Sequence, residues 1–434
     1  MANCYALEPA ACWRRIFSKN VVSGTAMGKV IGMLNKSEMG WVDFSSEDRD
    51  RVRDVIKQLS EPGTLDELGI GALRDGFADL MFPGFSTIQT RAKYLITIPR
   101  IIRDYLALKP AQQRRQSLQQ YLEQQENQLA RALTLQHQNE GVTGIIGSTM
   151  KEGESVARLP SSVYWVALRT WGIINTQASL NQFLKSVKPP ESSLGSSLPD
   201  EVDDADGVST DSRVHLDRYD PQWIEDVHIT LTESEAVFLS DKLQNGPINS
   251  LPSQLELSGM LKEVLDEDLA GFAQLAGWVA AKSDLAQSTR DTVKMAHAFS
   301  ELIYGAHLRF NILVARNNQR EDLVNQYESH WLDWRKVRQA GPEQVMQWLA
   351  ATNITLQGRV GAFLMEWSEH IANNASVVVL DALVEKQALG NKKERSILKK
   401  RLPDNYRWIG MSRLDFRWSQ VRTILGDIQE GLPC

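Results

Sequence analysis

Basic side chains interleaved with aromatic ones are the residues of this sequence whose chemistry is easiest to name. They are concentrated at 392–422, after an earlier basic stretch at 93–115 that is either a phosphate-binding face or the outer side of a packed helix. Cations neutralise phosphates and flat aromatic rings stack on bases, so the combination is typical of nucleic-acid binding. Arginine and tryptophan are also preferred anchors of protein interfaces, and the same rings can belong to a packed core. The residues leave these three interpretations open.

Two histidine–glutamate pairs have the spacing of one helical turn, which is a second possible kind of chemistry. They are His297 with Glu301 and Glu366 with His370. Facing helices can hold a metal ion through such residues, but the paired Glu-x-x-His pattern of bundle metal sites is missing. We therefore predict no metal ion and no other cofactor. An enzyme built on these four residues stays open as an alternative.

One predicted helix carries the first basic stretch, with Ser86 as its cap and Gln89 three residues later. Apolar residues recur from residue 88 to residue 106 at alternating spacings of four and three, which predicts a stripe facing the core. Lys93 and Arg100 fall on the opposite side and are predicted to be exposed. Arg91 lies on the flank, where its guanidinium needs an acidic partner. Ser86, Gln89 and Arg91 are therefore assigned structural roles.

The candidate binding residues come from both stretches and are basic or aromatic. They are Lys93, Arg100, Arg103, Lys399, Lys400, Arg401, Arg407, Trp408, Arg413, Arg417 and Trp418. The acidic partners considered for Arg91 are Asp66, Asp75 and Asp79. A nucleic acid or a partner protein could bind such a set, and a pure scaffold is the third possibility.

Helical periodicity dominates the elements that must position these residues. Capping boxes at Thr64 with Glu67 and at Thr232 with Glu235 mark helix starts, and residues 285–316 are predicted to form the longest helix. Strand-like composition is confined to three short runs, 41–44, 227–231 and 376–380, of which the last could lie in a helix. The predicted fold is mainly α with few short strands.

A change in composition between residues 188 and 220 divides the chain. Serine, proline, glycine and aspartate dominate there, which is typical of an acidic flexible linker or loop. Because 434 residues exceed what one core usually holds, we predict helical domains at 41–187 and 221–434, the second with a basic aromatic tail segment. Residues 1–40 are expected to be a poorly ordered extension. The true start is open among Met1, Met27 and Met33.

Overall charge and composition restrict the possible partners and compartment. The formal net charge of -6 predicts no general attraction to nucleic acid or to an anionic membrane, so polyanion binding has to be local. Three cysteines near the chain ends, without a CxxC motif, favour a reducing cytoplasm over a disulfide framework. The first residues do not match a signal peptide and no run reaches about 18 apolar residues, so no membrane span is expected.

Three long blocks of the sequence resemble a known family. The blocks are GTLDELGIGALRDGFADLMFPGFSTIQTRAKYLITIP at 63–99, RLPSSVYWVALRTWGI at 158–173 and RLDFRWSQVRTILGDIQEGL at 413–432. They are similar to the signature blocks of an uncharacterised bacterial domain-of-unknown-function family, and the resemblance spans residues 41–432. Phe85 and Arg100 depart from the family pattern, which has a small or hydroxyl residue and an aromatic residue at these positions.

The resemblance implies a gene neighbourhood for this chain but no biochemical activity. Genes of this family are associated with helicases and phospholipase-D-like nucleases in phage-defence neighbourhoods. The implied role is a non-enzymatic accessory or recognition subunit that acts with a helicase or nuclease partner in a bacterial DNA-processing system. Several properties stay open: the partner, the choice between DNA and RNA, the oligomeric state and the presence of any catalysis.

Overall fold

The computed structural model describes residues 65–151, 153–187, 213–216, 220–267, 269–337, 339–355 and 357–433. All of them lie in one compact unit, residues 51–434. Several predicted features lie outside the described residues: the N-terminal extension, the strand at 41–44, the Thr64 cap and most of the acidic linker. Among the described residues, no helix has both the length and the apolar composition to cross a bilayer.

Helices account for most of the described residues, which confirms the mainly α prediction. Before residue 188 they are α1 Gly71–Met81, α2 Tyr94–Ala107, α3 Pro110–Gln113, α4 Leu118–Gln136, α5 Pro160–Thr170 and α6 Leu180–Ser186. After residue 220 they are α7 Glu233–Gln244, α8 Leu251–Leu257, α9 Leu261–Asp266, α10 Phe272–Ala280, α11 Gln287–Asn317, α12 Glu321–Arg335, α13 Pro342–Ala351, α14 Arg359–Ala372, α15 Val377–Lys392 and α16 Trp418–Gly431. Two 3-10 turns, Lys393–Arg395 and Ile397–Lys399, lie between α15 and α16.

The 31-residue helix α11 is the central element and matches the longest predicted helix. Its middle turns are buried on nearly every side, as expected for a helix surrounded by others. Gly305 allows Trp334 of α12 to pack directly on the α11 backbone, because a Cβ at residue 305 would clash with the indole ring. The indole N–H groups of Trp334 and Trp367 donate to the carbonyls of Glu301 and Leu302. Helices α12 and α14 are thereby fixed to α11.

The predicted strand at 227–231 is a loop. Val227, Ile229 and Leu231 do alternate into the core, as they would in a strand. The prediction is wrong because no described residue pairs with this run in a sheet, and the Ile229 N–H donates to the His137 ring instead. The run at 376–380 begins α15. The described residues contain only an isolated bridge, between residues 174 and 214.

Helices on the two sides of the predicted linker pack against each other. Arg91, in the loop before α2, forms a salt bridge with Asp427 of α16, and Lys93 forms one with Glu235 of α7. The Asn175 N–H also donates to the backbone carbonyl of residue 213, so this end of the predicted linker is tied to the first half of the chain. The compositional boundary does not coincide with a boundary in packing among the described residues.

Local capping signals locate some helix starts and miss others. Thr232 and Glu235 form the predicted capping box at the start of α7. The start predicted at Ser86 is wrong, because α2 begins at Tyr94. The Tyr164 hydroxyl accepts hydrogen bonds from the backbone N–H groups of Thr90 and Arg91, so these amides are already bonded to a tertiary partner.

Candidate nucleic-acid interface

The face of α2 that was predicted to be exposed is buried. Lys93 is 3% exposed and Arg100 is 7% exposed, and each donates to a different oxygen of Glu235 at 2.7 Å. Lys93 also donates to the Thr230 carbonyl at 3.1 Å. Burial opposes ionisation of Glu235, but Lys93 and Arg100 outweigh it and lower the pKa of this carboxyl. The predicted exposure of both cations is therefore wrong.

Residues far along the chain cover this polar side of α2. Trp223 lies against it, with the Arg100 guanidinium 5.8 Å from the ring centroid. The Trp223 indole N–H donates to Asp104 at 3.0 Å. Arg103, the third candidate of this stretch, is half-buried. A helical wheel cannot reveal such a cover, because the covering residues follow α2 by more than a hundred positions.

Arg91 has a structural role, but its partner differs from the three predicted. Its Nε and Nη2 atoms contact Asp427 at 2.9 and 2.8 Å, and the other oxygen of that carboxylate accepts the Ala92 N–H at 2.7 Å. Burial works against the charge of Arg91, whereas Asp427 outweighs this and raises the pKa of the guanidinium. Asp66, predicted as a possible partner, instead accepts the N–H groups at the start of α1.

Gln89 and Ser86 form only half of the predicted capping box. The Gln89 Oε1 atom accepts the Ser86 N–H at 3.1 Å, and its Nε2 atom donates to the Gly84 carbonyl at 3.0 Å. The Ser86 hydroxyl is buried and has no hydrogen-bond partner among the described residues. Gln89 therefore shapes the loop between α1 and α2 instead of a helix start.

Two arginines of the second basic stretch are bound to carboxylates of the protein. Arg413 forms a salt bridge with Glu301 at 2.8 Å and lies 4.0 Å from the Tyr304 ring centroid. Arg417 contacts Asp79 at 2.6 Å, so a second predicted partner of Arg91 is also used elsewhere. Both arginines tie the segment before α16 to earlier helices.

The two tryptophans of this stretch belong to the core. Trp418 is 1% exposed, its indole N–H donates to the Leu269 carbonyl at 3.0 Å, and its ring stacks on Phe82. Trp408 is half-buried and stacks on Tyr304 with a centroid distance of 5.9 Å. The predicted binding role of these rings required exposure, which neither ring has in full.

The remaining four candidates lie at the surface on the segment that follows α15. We call residues 392–407 the basic ledge; it contains seven cationic side chains and two carboxylates in a chain whose net charge is -6. Six of its cations are exposed: Lys393, Arg395, Lys399, Lys400, Arg401 and Arg407. Lys399 pairs with Glu394 of the ledge at 2.7 Å. The other exposed cations have no salt bridge within the described part of the chain.

Buried polar contacts fix the backbone of the basic ledge. Glu67 is 4% exposed, and one of its oxygens accepts the Ser396 hydroxyl at 2.9 Å and the Ile397 N–H at 3.2 Å. Burial raises the pKa of Glu67 despite these hydrogen bonds. Directly after the end of α11, the Asn318 side chain accepts the Leu402 N–H at 2.8 Å. The ledge cations therefore project from a backbone that is held at residues 396, 397 and 402.

Sequence reasoning missed the residues that hold the ledge. The sequence predicts a helix cap at Glu67 and no role for Asn318. Their contacts join positions separated by 329 and 84 residues, so no spacing within one helix could identify them. The burial of an acidic residue next to a basic surface would have been the signal. That burial depends on the tertiary fold, so the sequence does not show it.

The two histidine–glutamate pairs do not converge. Glu301 is engaged by Arg413, while Glu366 lies 3.8 Å from His370 and 3.9 Å from Lys386. Within the described ranges, no group of three or more histidine, cysteine, aspartate or glutamate side chains is arranged to hold a metal ion.

A cavity of about 860 Å³ lies beside the salt bridge between Arg91 and Asp427. Three of its other charged side chains are also engaged: Lys262 pairs with Asp266, and the Arg422 guanidinium donates to the backbone carbonyls of Leu265 and Glu267. The cavity therefore gives a weaker basis for a binding site than the exposed ledge does.

The described residues thus define a mainly α protein with an anchored, solvent-exposed basic ledge. The chain belongs to a family of unknown function, DUF6361, whose match covers residues 36–333 and so more than half of the sequence. This confirms the resemblance to an uncharacterised family. The match ends before the basic ledge, so family membership neither supports nor opposes a role for it. No curated protein and no solved structure matches the chain.

Proposed function

We propose that the protein binds nucleic acid through the basic ledge, as a non-enzymatic recognition or accessory component. The observation that carries this proposal is the combination of six exposed cations with a backbone anchored by Glu67 and Asn318. Lysine and arginine neutralise phosphates and release their counterions. A surface that is already ordered loses less conformational freedom on binding than a flexible tail does.

The net charge of the chain restricts how this binding works. Because the whole molecule carries a net charge of -6, attraction to a polyanion comes from the ledge at short range. Such binding is strongly weakened by salt, with a log–log slope of about −3.6 if four phosphates of a duplex are neutralised. A shallow slope would indicate that fewer cations take part.

The test is fluorescence anisotropy of labelled DNA and RNA across a salt series. The double variant Lys400→Glu/Arg401→Glu is expected to weaken binding by about tenfold or more, since it replaces two phosphate contacts with two repulsive charges. The control variant Lys151→Glu/Lys336→Glu changes the net charge equally at exposed sites outside the ledge and is expected to stay within about twofold. Wild-type affinity in the ledge variant would contradict the proposal.

An acidic partner protein is the competing occupant of the same surface. A competition experiment separates nucleic-acid binding from protein binding. At a nucleic-acid site, unlabelled DNA displaces labelled DNA at a far lower concentration of negative charge than polyglutamate does. Equal competition per unit charge would show general polyanion binding without preference for nucleic acid.

We also propose that the chain acts with a helicase or nuclease, as its sequence resemblance implies. The support is that resemblance together with the DNA-binding proposal. Co-expression with a helicase or nuclease encoded beside it, followed by size-exclusion chromatography, is expected to give a co-eluting complex. Separate elution at micromolar concentration would contradict this part of the proposal.

A further inference from the structure

The aromatic rings of the second basic stretch face the protein and not the solvent. Tyr406, Phe416 and Trp418 are buried and Trp408 is half-buried. Their faces and edges are occupied by internal neighbours. Phe272 packs edge-on to Phe416 at 4.7 Å, Phe82 stacks on Trp418, Tyr304 stacks on Trp408 and Arg320 lies over Tyr406.

Elsewhere in the described ranges the aromatic rings are buried or half-buried. The exposed large apolar side chains there are leucine, isoleucine, valine and methionine, and no described phenylalanine, tyrosine or tryptophan is exposed. Proteins that hold single-stranded nucleic acid combine a basic groove with exposed rings on which bases stack. The described surface supplies the cations and lacks the stacking partners.

We propose that the basic ledge recognises the phosphate backbone of a double-stranded nucleic acid and makes no stacking contact with bases. This inference rests on the proposed function and specifies its ligand. A duplex presents about one phosphate charge per 1.7 Å of its axis, which is about twice the density along one strand. A group of exposed cations without exposed aromatic rings therefore gains more from a duplex than from a single strand.

The ledge geometry suits this ligand. Lys400 and Arg401 are adjacent, and Arg407 follows after a short loop whose Tyr406 side chain turns inward. The ledge backbone is held at Ser396 and at Leu402, on either side of the adjacent pair. Exposed cations on this anchored backbone can contact the phosphates of a duplex, whereas a single strand has to become ordered before it meets the same cations.

The experiment compares four labelled ligands of equal length at one salt concentration: duplex DNA, duplex RNA, the single strand and a single strand with abasic central positions. The duplexes are expected to bind about tenfold more tightly than the single strand, because of their charge density. Removing the bases is expected to change the single-strand affinity by less than about twofold, since stacking contributes nothing. The two duplexes differ in sugar and groove shape, so their comparison distinguishes DNA from RNA as the source of the phosphates.

The outcomes separate this inference from the function on which it rests. A single strand that binds as tightly as the duplex, or loses about tenfold when its bases are removed, overturns the inference while ledge binding stands. If Lys400→Glu/Arg401→Glu binds every ligand like the wild type, the proposed function itself fails. Duplex preference that disappears in this variant supports both.

Discussion

Lys93 with Arg100 and Lys400 with Arg401 are the same pairs of residue types, but they have opposite environments. The first pair lies on α2, buried, with both cations on the single carboxylate of Glu235 at 2.7 Å. The second pair lies on the basic ledge, exposed, with no salt bridge to a described residue. The role of a cation therefore depends on the carboxylate that the fold brings to it, which for Lys93 is 142 residues away.

Removing the carboxylate that Lys93 and Arg100 share should have the largest effect on the free energy of unfolding. Glu235→Gln leaves both buried cations without this partner, so we expect a loss of about 3 to 5 kcal/mol in the free energy of unfolding. Lys93→Met should cost less, because Arg100 still pairs with Glu235 in that variant. Urea unfolding followed by circular dichroism measures both. A loss below about 1 kcal/mol for Glu235→Gln would mean that the buried cluster is no more important than a surface pair.

A second buried glutamate, Glu126, can be compared with Glu235. Glu126 is buried beside Ser161 and not beside a cation. Burial raises the pKa of Glu126 to about 8, although the Ser161 N–H and hydroxyl oppose this. A folded-state pKa above the unfolded value favours the protonated form, so this stabilising contribution is complete below pH 4.5 and is lost as the pH rises towards 8.

Glu126→Gln should remove that dependence on pH. We expect the wild-type free energy of unfolding to fall with a slope of up to about 1.4 kcal/mol per pH unit relative to the variant. Denaturant unfolding at pH 5, 6, 7 and 8 measures the slope. Glu123→Gln, at an exposed position one turn earlier, is the matched control. Parallel curves for the wild type and Glu126→Gln would show that Glu126 is ionised in the folded protein.

A smaller effect is expected where α15 turns into the ledge. Lys393 has a φ of 53° and a ψ of −124°, a conformation that residues with a Cβ rarely adopt. Lys393→Gly should therefore stabilise the protein by about 1 kcal/mol. Lys392→Gly, where φ is −99°, should destabilise it by about 0.5 to 1 kcal/mol. Thermal unfolding measures both, and equal effects would show that the turn at residue 393 is unstrained.

The smallest effect on the free energy of unfolding is expected for substitutions on the ledge itself. Lys400→Glu/Arg401→Glu should change the free energy of unfolding by no more than about 0.5 kcal/mol, since both side chains are exposed. A loss above about 1 kcal/mol would show that these cations support the fold. The contrast with Lys93 and Arg100 would then fail.

Local spacing was sufficient for some of these features. The mainly α fold, the long helix α11 and the cap at Thr232 follow from periodicity and capping patterns, which act over a few residues. The need of Arg91 for an acidic partner also followed from its position on a helix flank. The identity of that partner did not, because Asp427 is 336 residues away.

The site was harder to predict from the sequence than the fold was, for the same physical reason. Lys93 and Arg100 were assigned to the surface because a wheel shows one helix without its neighbours, and residues 223–235 cover its polar side. Lys400, Arg401 and Arg407 are exposed, but the sequence could not show that Glu67 and Asn318 hold their backbone.

The long spans of these contacts affect how the protein is made. Glu67 meets Ser396 and Arg91 meets Asp427, so segments near the start of the described chain are completed by segments near its end. The ribosome synthesises the early and the late segments at widely separated times, and contacts between positions far apart in the sequence form slowly. On the ribosome, α1 and α2 therefore emerge with charged groups whose partners do not yet exist, and this unit can finish folding only after residue 427 has been released from the exit tunnel.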